Sequence, residues 1–336
     1  MPKILQSKRN IEFYIDEFML YCDYKGLSRK TLAAYESTLK LLSKYLNEEY
    51  SITKLQEVKA DHINSYIQFT KDRGKYSYVY NNKSVVLNNP EVRKDFGKPV
   101  SNGTINNYIR NIKVFFNWAE EQKFIKVNPT SKLKFVKTKR KAKDDITDRE
   151  FTALIRVMDT TKFHEYRDYV ITQLITDTGM RLSETLALEV NDLDLEKRSI
   201  LIPAEITKSK KDRYVFFSTT MATLLRKWLQ YKDRYSSNDV LLFPTIKGTK
   251  LGTPNFERNF KLYKERAGIT KEITPHGLRN NFAKRCLMSG MDIYTLSRIL
   301  GHSSVSVTEK AYLDLTVSDI RKNYQRFSPL ENMQRR

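Results

Sequence analysis

TPHGLRNNFAKRCLMSGMDIYTLSRILGHSSVSVTEKAY, residues 274–312, joins three short helical patterns and loads them with reactive side chains. The patterns run over about 275–289, 292–300 and 304–312. Thr274 and Pro275 open the first, with proline at an early position where its missing N–H costs nothing. His276 and Arg279 lie three residues apart near that start, so both project from one face. A helix N-terminus there also favours an anion. Gly301-His302 follows the second pattern, and Tyr312 ends the third. The chain has four histidines, and two of them bracket Arg279 here.

Upstream, Thr147-Asp148-Arg149-Glu150 is a capping-box signature that opens a second domain. Helical patterns follow in FTALIRVMD, YRDYVITQLITDTG and RLSETLAL. In the last, Arg181 follows a glycine-containing start and leads Glu184 by three residues, on the same helix face. RSILIPAEI and RYVFFS are β-branched and aromatic, with the basic turn Lys208-Ser209-Lys210-Lys211-Asp212 between them; they read as a strand pair. Which of Lys208, Lys210 or Lys211 matters is not decided locally. Further helical patterns fall at about 218–234 and 254–267, with a tail helix near 317–326.

The first third reads differently. Residues 11–46 form two helical patterns separated by Gly26, with Ser28 as a cap. A third spans about 60–72 behind an expected Asp61 cap, and a fourth about 103–122. From 74 to 100 the pattern dissolves into Asn-rich sequence broken by Pro90 and Pro99. A short hairpin and a loose loop fit that stretch equally. KLKFVKTKRKAK, residues 132–143, carries seven basic residues and no acid, and reads as a linker that straps along a polyanion.

Composition agrees with such a partner. Lys and Arg outnumber Asp and Glu by 60 to 39 in 336 residues, a formal charge of +21. That excess repels itself and suits a phosphate backbone, whose counterions it releases. DNA, RNA and membrane surfaces all satisfy charge alone. No apolar run reaches membrane-spanning length, and the start lacks a signal-peptide core. Cys22 and Cys286 cannot build a disulfide framework or a thiolate zinc site, which suits a reducing cytoplasm.

Read together and in order, Arg181, Lys208, His276-x-x-Arg279, Gly301-His302 and Tyr312 resemble the tyrosine recombinase, or phage integrase, family. TGMRLSE is similar to its first arginine box. HGLR, then LGH 26 residues on and a tyrosine ten further, is similar to its second. GLSRKTLAAYESTLKLLSKYL and TINNYIRNIKVFFNWAEEQKFIKVNP look like its helical core-binding domain. The resemblance implies a mostly α chain with a small antiparallel β-sheet. A SAM-like core-binding domain would occupy 1–131, a basic linker 132–145, and a mixed α/β catalytic domain with a tail helix 146–336, forming a C-shaped clamp on DNA.

It further implies catalysis by Arg181, Lys208, His276, Arg279, His302 and Tyr312, supported by Glu184, without cofactor or metal. Two planar guanidiniums would stabilise the charge that grows on a phosphorane. Tyr312 would attack to give a 3′-phosphotyrosyl bond, with His276 as base, Lys208 as acid and His302 on a phosphate oxygen. Lys30, Thr31, Asn106, Asn107, Arg110, Lys137, Lys139 and Arg140 are the expected DNA contacts. The expected partners are duplex DNA with inverted-repeat core sites, a homotetramer on that DNA joined through the tail, and accessory recombination proteins. Integration or excision of a mobile element is the expected role. Xer-like dimer resolution, a type IB topoisomerase and a DNA-binding relative without cleavage are the alternatives.

Overall fold

Asn10 starts the first helix, α1 (Ile11–Tyr24), by accepting the Phe13 N–H at 2.9 Å. Ser28 does the same for α2 (Arg29–Tyr50), accepting from Thr31 N–H at 3.2 Å. These caps satisfy donors that have no partner within the helix. Each helix then buries a stripe at three- and four-residue spacing: Ile11, Tyr14, Ile15 and Phe18 in α1, and Leu39, Leu42 and Leu46 in α2. α3 (Ala60–Asp72) begins two residues earlier than an Asp61 cap requires. Its cap is Lys59, whose backbone N–H donates to His62 Nδ1 at 3.1 Å. That bond gives His62 a local structural role.

The computed structural model describes residues 9–80, 89–138, 145–207, 210–236, 239–302 and 304–312, with single positions beyond. The chain divides into two compact units, Met1–Arg140 and Lys141–Arg336. In the first, α4 (Asn102–Glu121) is capped by Ser101 and packs on α1, α2 and α3. Phe18, Phe115, Trp118 and Phe124 cluster with ring centroids 5.2–5.9 Å apart. Such contacts add to simple burial. Buried Asn111 of α4 donates to Thr38 Oγ1 at 2.9 Å, fixing α4 against α2.

The ends of the 74–100 stretch pair. Gly74 bridges Pro99 in antiparallel fashion; Lys75 N–H donates to the Lys98 carbonyl at 2.8 Å, and Gly97 N–H donates to the Lys75 carbonyl at 3.0 Å. Residues 81–88 lie outside the described residues.

The basic stretch is not a free tether over 132–138. Leu133 and Val136 pack on the first core. Asn106 Nδ2 donates to the Val136 carbonyl at 2.9 Å and its Oδ1 accepts the Val136 N–H at 2.8 Å. Lys113 Nζ adds a bond to the Leu133 carbonyl at 2.8 Å. Lys139 and Arg140 lie outside the described residues.

In the second unit, α5 (Asp148–Arg156) carries the capping box: Thr147 Oγ1 accepts Glu150 N–H at 3.2 Å, and Glu150 returns a carboxylate to Thr147 N–H at 2.8 Å. α6 (Phe163–Thr178) runs through the core, burying Val170, Ile171, Leu174 and Ile175. It also buries Arg167 and Asp168, which the fold permits because both are paired. Arg167 donates to Asp168 Oδ1 at 2.8 Å, and Asp168 Oδ2 accepts from Asn259 and Tyr263. A short helix, α7 (Leu182–Thr185), leads into three antiparallel strands in order: β1 (Leu193–Asp194), β2 (Ser199–Ile202) and β3 (Arg213–Phe216). Ile200 pairs with both Leu193 and Val215. The two-residue β1 is too short to have left a period in the sequence.

α8 (Thr219–Tyr235) and α9 (Thr253–Arg266) complete the wall around Trp228. α10 (Pro275–Met288), α11 (Ile293–Leu300) and α12 (Val305–Tyr312) close the unit, α10 against α6 and α11 against β3. Among the described residues, no helix is long and apolar enough to cross a membrane.

Asn106→Ala removes both clasps on residue 136. Two lost hydrogen bonds lower stability by about 1–3 kcal/mol. Limited trypsin digestion of the variant should cut at Lys134 and Lys137 well before the wild type; equal digestion would show that the clasp does not hold this stretch.

Candidate active site

α11 ends at Leu300, and its last carbonyls have no partner within the helix. Three arginines supply them. Arg213 Nε donates to the Ile299 carbonyl at 3.1 Å, Arg279 Nη2 to Leu300 at 2.7 Å, and Arg181 Nη2 to Gly301 at 3.4 Å. Cations are favoured at a helix C-terminus by the partial negative charge of these groups. Each arginine arrives from a different element: the cap of α7, the start of β3, and the first turn and a half of α10.

Glycine is required at this junction. Gly301 has φ +64°, and a Cβ there would meet Arg213 Cδ at 2.8 Å. Gly179, at the end of α6, has φ +66° and faces Phe282 so closely that a Cβ would lie 2.3 Å from its ring. The Gly179 carbonyl accepts the second bond of Arg279, from Nη1 at 2.8 Å. Arg279 is 2% exposed and is thus held at both ends of its fork.

Glu184 balances the other two cations. It is 1% exposed, accepts from Arg181 Nη1 at 2.7 Å, and takes both Arg213 terminal nitrogens, at 3.1 and 2.6 Å. Burial by itself pushes its carboxyl up. The hydrogen bonds and charge of Arg213 and Arg181 outweigh that and hold it below the usual carboxylate range. Arg181 is the most open of the three arginines, at 26%.

His302 follows directly. Its Nε2 lies 3.1 Å from Arg279 Nη2, and its Nδ1 lies 2.7 Å from Thr308 Oγ1 in α12. Arginine can only donate, so Nε2 accepts, and the ring proton sits on Nδ1 and is donated to Thr308. Desolvation, then the charges of Arg279, Arg181, Arg213 and His276, push the ring down to about 4. His276 is exposed in the first turn of α10, near enough for its charge to act on His302.

Arg181, Glu184, Arg279 and His302 therefore gather at one helix end, with His276 near enough for its charge to reach His302. Tyr312 closes α12, which packs on α10 and α11; its side chain lies outside what is described. Lys208 also lies outside the described residues. The turn beside it is tied by Thr207, whose hydroxyl accepts the Lys211 N–H at 3.2 Å.

In the first unit, Lys30, Asn107, Arg110 and Lys137 are exposed, and Arg110 donates to Asn107 at 2.7 Å. Thr31 shares a hydroxyl bond with Ser28. Asn106 has both amide ends on Val136. Sequence reasoning missed Arg213 and Thr308; nothing local distinguishes either from a surface side chain.

The phage integrase family pattern matches residues 144–318, just over half of the chain, and the family's N-terminal SAM-like domain matches 15–86. The chain belongs to the phage integrase family. It is a tyrosine site-specific recombinase. It is 27% identical to tyrosine recombinase XerD of Staphylococcus haemolyticus over 334 residues, covering 95% of this chain and 99% of that one. It is likewise 27% identical to tyrosine recombinase XerC of Thermodesulfovibrio yellowstonii over 328 residues, 96% of this chain and 98% of that one. The fold is similar to that of the Tn1549 transposon integrase solved with a circular-intermediate DNA. The TM-score is 0.71 at 17% identity, over 96% of this chain and 100% of that one. The two arginine boxes of this recombinase fall at the α6–α7 junction and in the α10–α11 pair.

The low proton affinity of His302 sets a pH dependence. Unfolded, the ring binds a proton near pH 6.5; folded, only near pH 4. Its contribution to stability is complete above about 6.5 and is lost as pH falls toward 4. NMR titration of the ring should give a midpoint near 4, and His302→Gln should flatten the fall in stability over that window. A midpoint near 6.5 would mean that the ring faces water instead of the arginines.

Proposed function

We propose that this recombinase cleaves and rejoins DNA at specific sites through Tyr312, with its remaining catalytic groups gathered at the end of α11. What carries the reading is the convergence of Arg181, Arg279 and His302 there, each linked to the others through shared carbonyls or direct contact.

A scissile phosphate placed at this end would meet two guanidinium forks and one imidazole. In-line attack by the Tyr312 oxygen puts negative charge on the equatorial oxygens, where Arg181 and Arg279 stabilise it. The phenol, with an ordinary pKa of about 10, gives its proton to His276, and Lys208 protonates the departing 5′-oxygen, which leaves as the 5′-hydroxyl. The phosphotyrosyl bond keeps the energy of the phosphodiester, so a partner strand's 5′-hydroxyl reseals the break without ATP. Glu184 acts by aiming Arg181. No metal or cofactor enters these steps.

Duplex DNA is the substrate, and the formal charge of +21 favours it. Lys30, Thr31, Asn107, Arg110 and Lys137, with Lys139 and Arg140, are its contacts in our reading; Asn106 serves by holding residue 136 instead. Two inverted-repeat sites are exchanged in a homotetramer joined through the C-terminal tail, in the cytoplasm. We read the role as integration or excision of a mobile element, because the 74–100 stretch enlarges the first unit beyond a compact Xer pattern. The end-to-end match to XerD and XerC favours a second reading, dimer resolution.

A nicked suicide duplex built from inverted half-sites flanking the encoding locus tests the chemistry. Wild type should accumulate a covalent protein–DNA adduct, and Tyr312→Phe should form none while still retarding the DNA. Adducts that persist in the variant would remove Tyr312 from its role.

A further inference from the structure

Thr308 is fully buried, at 0% exposure, although its hydroxyl is polar. Its Oγ1 lies 2.7 Å from His302 Nδ1. It stands in α12 four residues, about one helical turn, before Tyr312. The other face of the imidazole is already fixed by Arg279, which can only donate.

We propose that Thr308 is a positioning residue for strand cleavage: its hydroxyl accepts the Nδ1 proton that Arg279 leaves on His302, setting the plane of that ring while tying it to the helix that ends in Tyr312. This deepens the function proposed above and rests on it.

The hydroxyl suits both states the ring must pass through. With no phosphate bound, Nε2 accepts from Arg279 and Nδ1–H donates to Thr308. With a phosphate oxygen at hand, the ring takes up a proton and Nε2–H donates to that oxygen. Nδ1–H keeps the same acceptor throughout, so the ring need not turn. Valine has nearly the same shape but no acceptor; a buried Nδ1–H would then be left without a partner. The same bond sets how far along α11 the start of α12 sits, and so where residue 312 enters. A purely space-filling residue at 308 would do neither.

Two measurements on the full chain separate this from its alternatives. The first uses ¹⁵N-histidine NMR without DNA, with His302 assigned by His302→Gln. Wild type and Thr308→Ser should show a single Nδ1–H tautomer whose proton exchanges slowly with water, and Thr308→Val should lose that protection. An Nε2–H tautomer in wild type, or equal protection in Thr308→Val, overturns the proposal. The second is single-turnover cleavage of the suicide duplex. Thr308→Val should cleave roughly tenfold to hundredfold more slowly, the range for losing a hydrogen bond to a group that becomes charged. DNA affinity should stay unchanged, and Thr308→Ser should recover most of the rate. Equal loss in Ser and Val, or loss of DNA affinity in step with rate, would mean a packing role only. If wild type forms no adduct at all, the recombinase chemistry fails while the tautomer result still stands or falls by itself.

Discussion

Three arginines in one small volume repel each other, and the catalytic unit is arranged around making that repulsion tolerable. The C-terminal carbonyls of α11 take one arginine each, at Ile299, Leu300 and Gly301. Buried Glu184 is ion-paired with two of the three. Gly179 supplies a further carbonyl to Arg279. A buried charge without such partners would cost several kcal/mol, and removing one partner from a buried pair costs about 3–5 kcal/mol. Charge compensation thus fixes how α6, α7, β3, α10 and α11 meet.

The arrangement divides labour among the cations. Arg213 is 8% exposed and its nitrogens go to Glu184 and Ile299, so it acts through the others. Arg181 keeps the most open surface of the three, and Arg279 presents its Nη2 beside His302. Desolvation first, and then the positive field that would draw a phosphate, keep His302 neutral. In the proposed mechanism, a bound phosphate would offset that field and favour the protonated ring.

Much of this was legible because local chemistry announces itself. Thr147 and Glu150, Ser28 and Thr274 mark helix starts through side-chain oxygens that the sequence displays. The buried stripes of α2 and α4 follow from spacing alone. The order of Arg181, His276, Arg279 and His302 in the chain suggested one cluster, and Arg181, Arg279 and His302 do come together at the end of α11. What could not be read were contacts that depend on chain reversal. Arg213 looked like the end of a basic turn, and only the packing of β3 on α11 brings it to Glu184. Thr308 lay in a Ser/Thr-rich run that gave no reason to prefer it over its neighbours. Asn106 looked like an exposed polar residue on a DNA-facing helix until the 132–138 stretch folded back onto it. β1 was too short for any pattern, and the Asp61 cap failed because Lys59 uses the His62 ring instead.

The most direct test of the central claim, a single phosphate site prepared by balanced arginines, is a crystal structure of Tyr312→Phe on its duplex site. One phosphate should lie within hydrogen-bond distance of both Arg181 and Arg279, with His302 as a third donor and Arg213 still on Glu184 and clear of the DNA. A phosphate held by Arg213, or Arg181 and Arg279 on different phosphates, would contradict it.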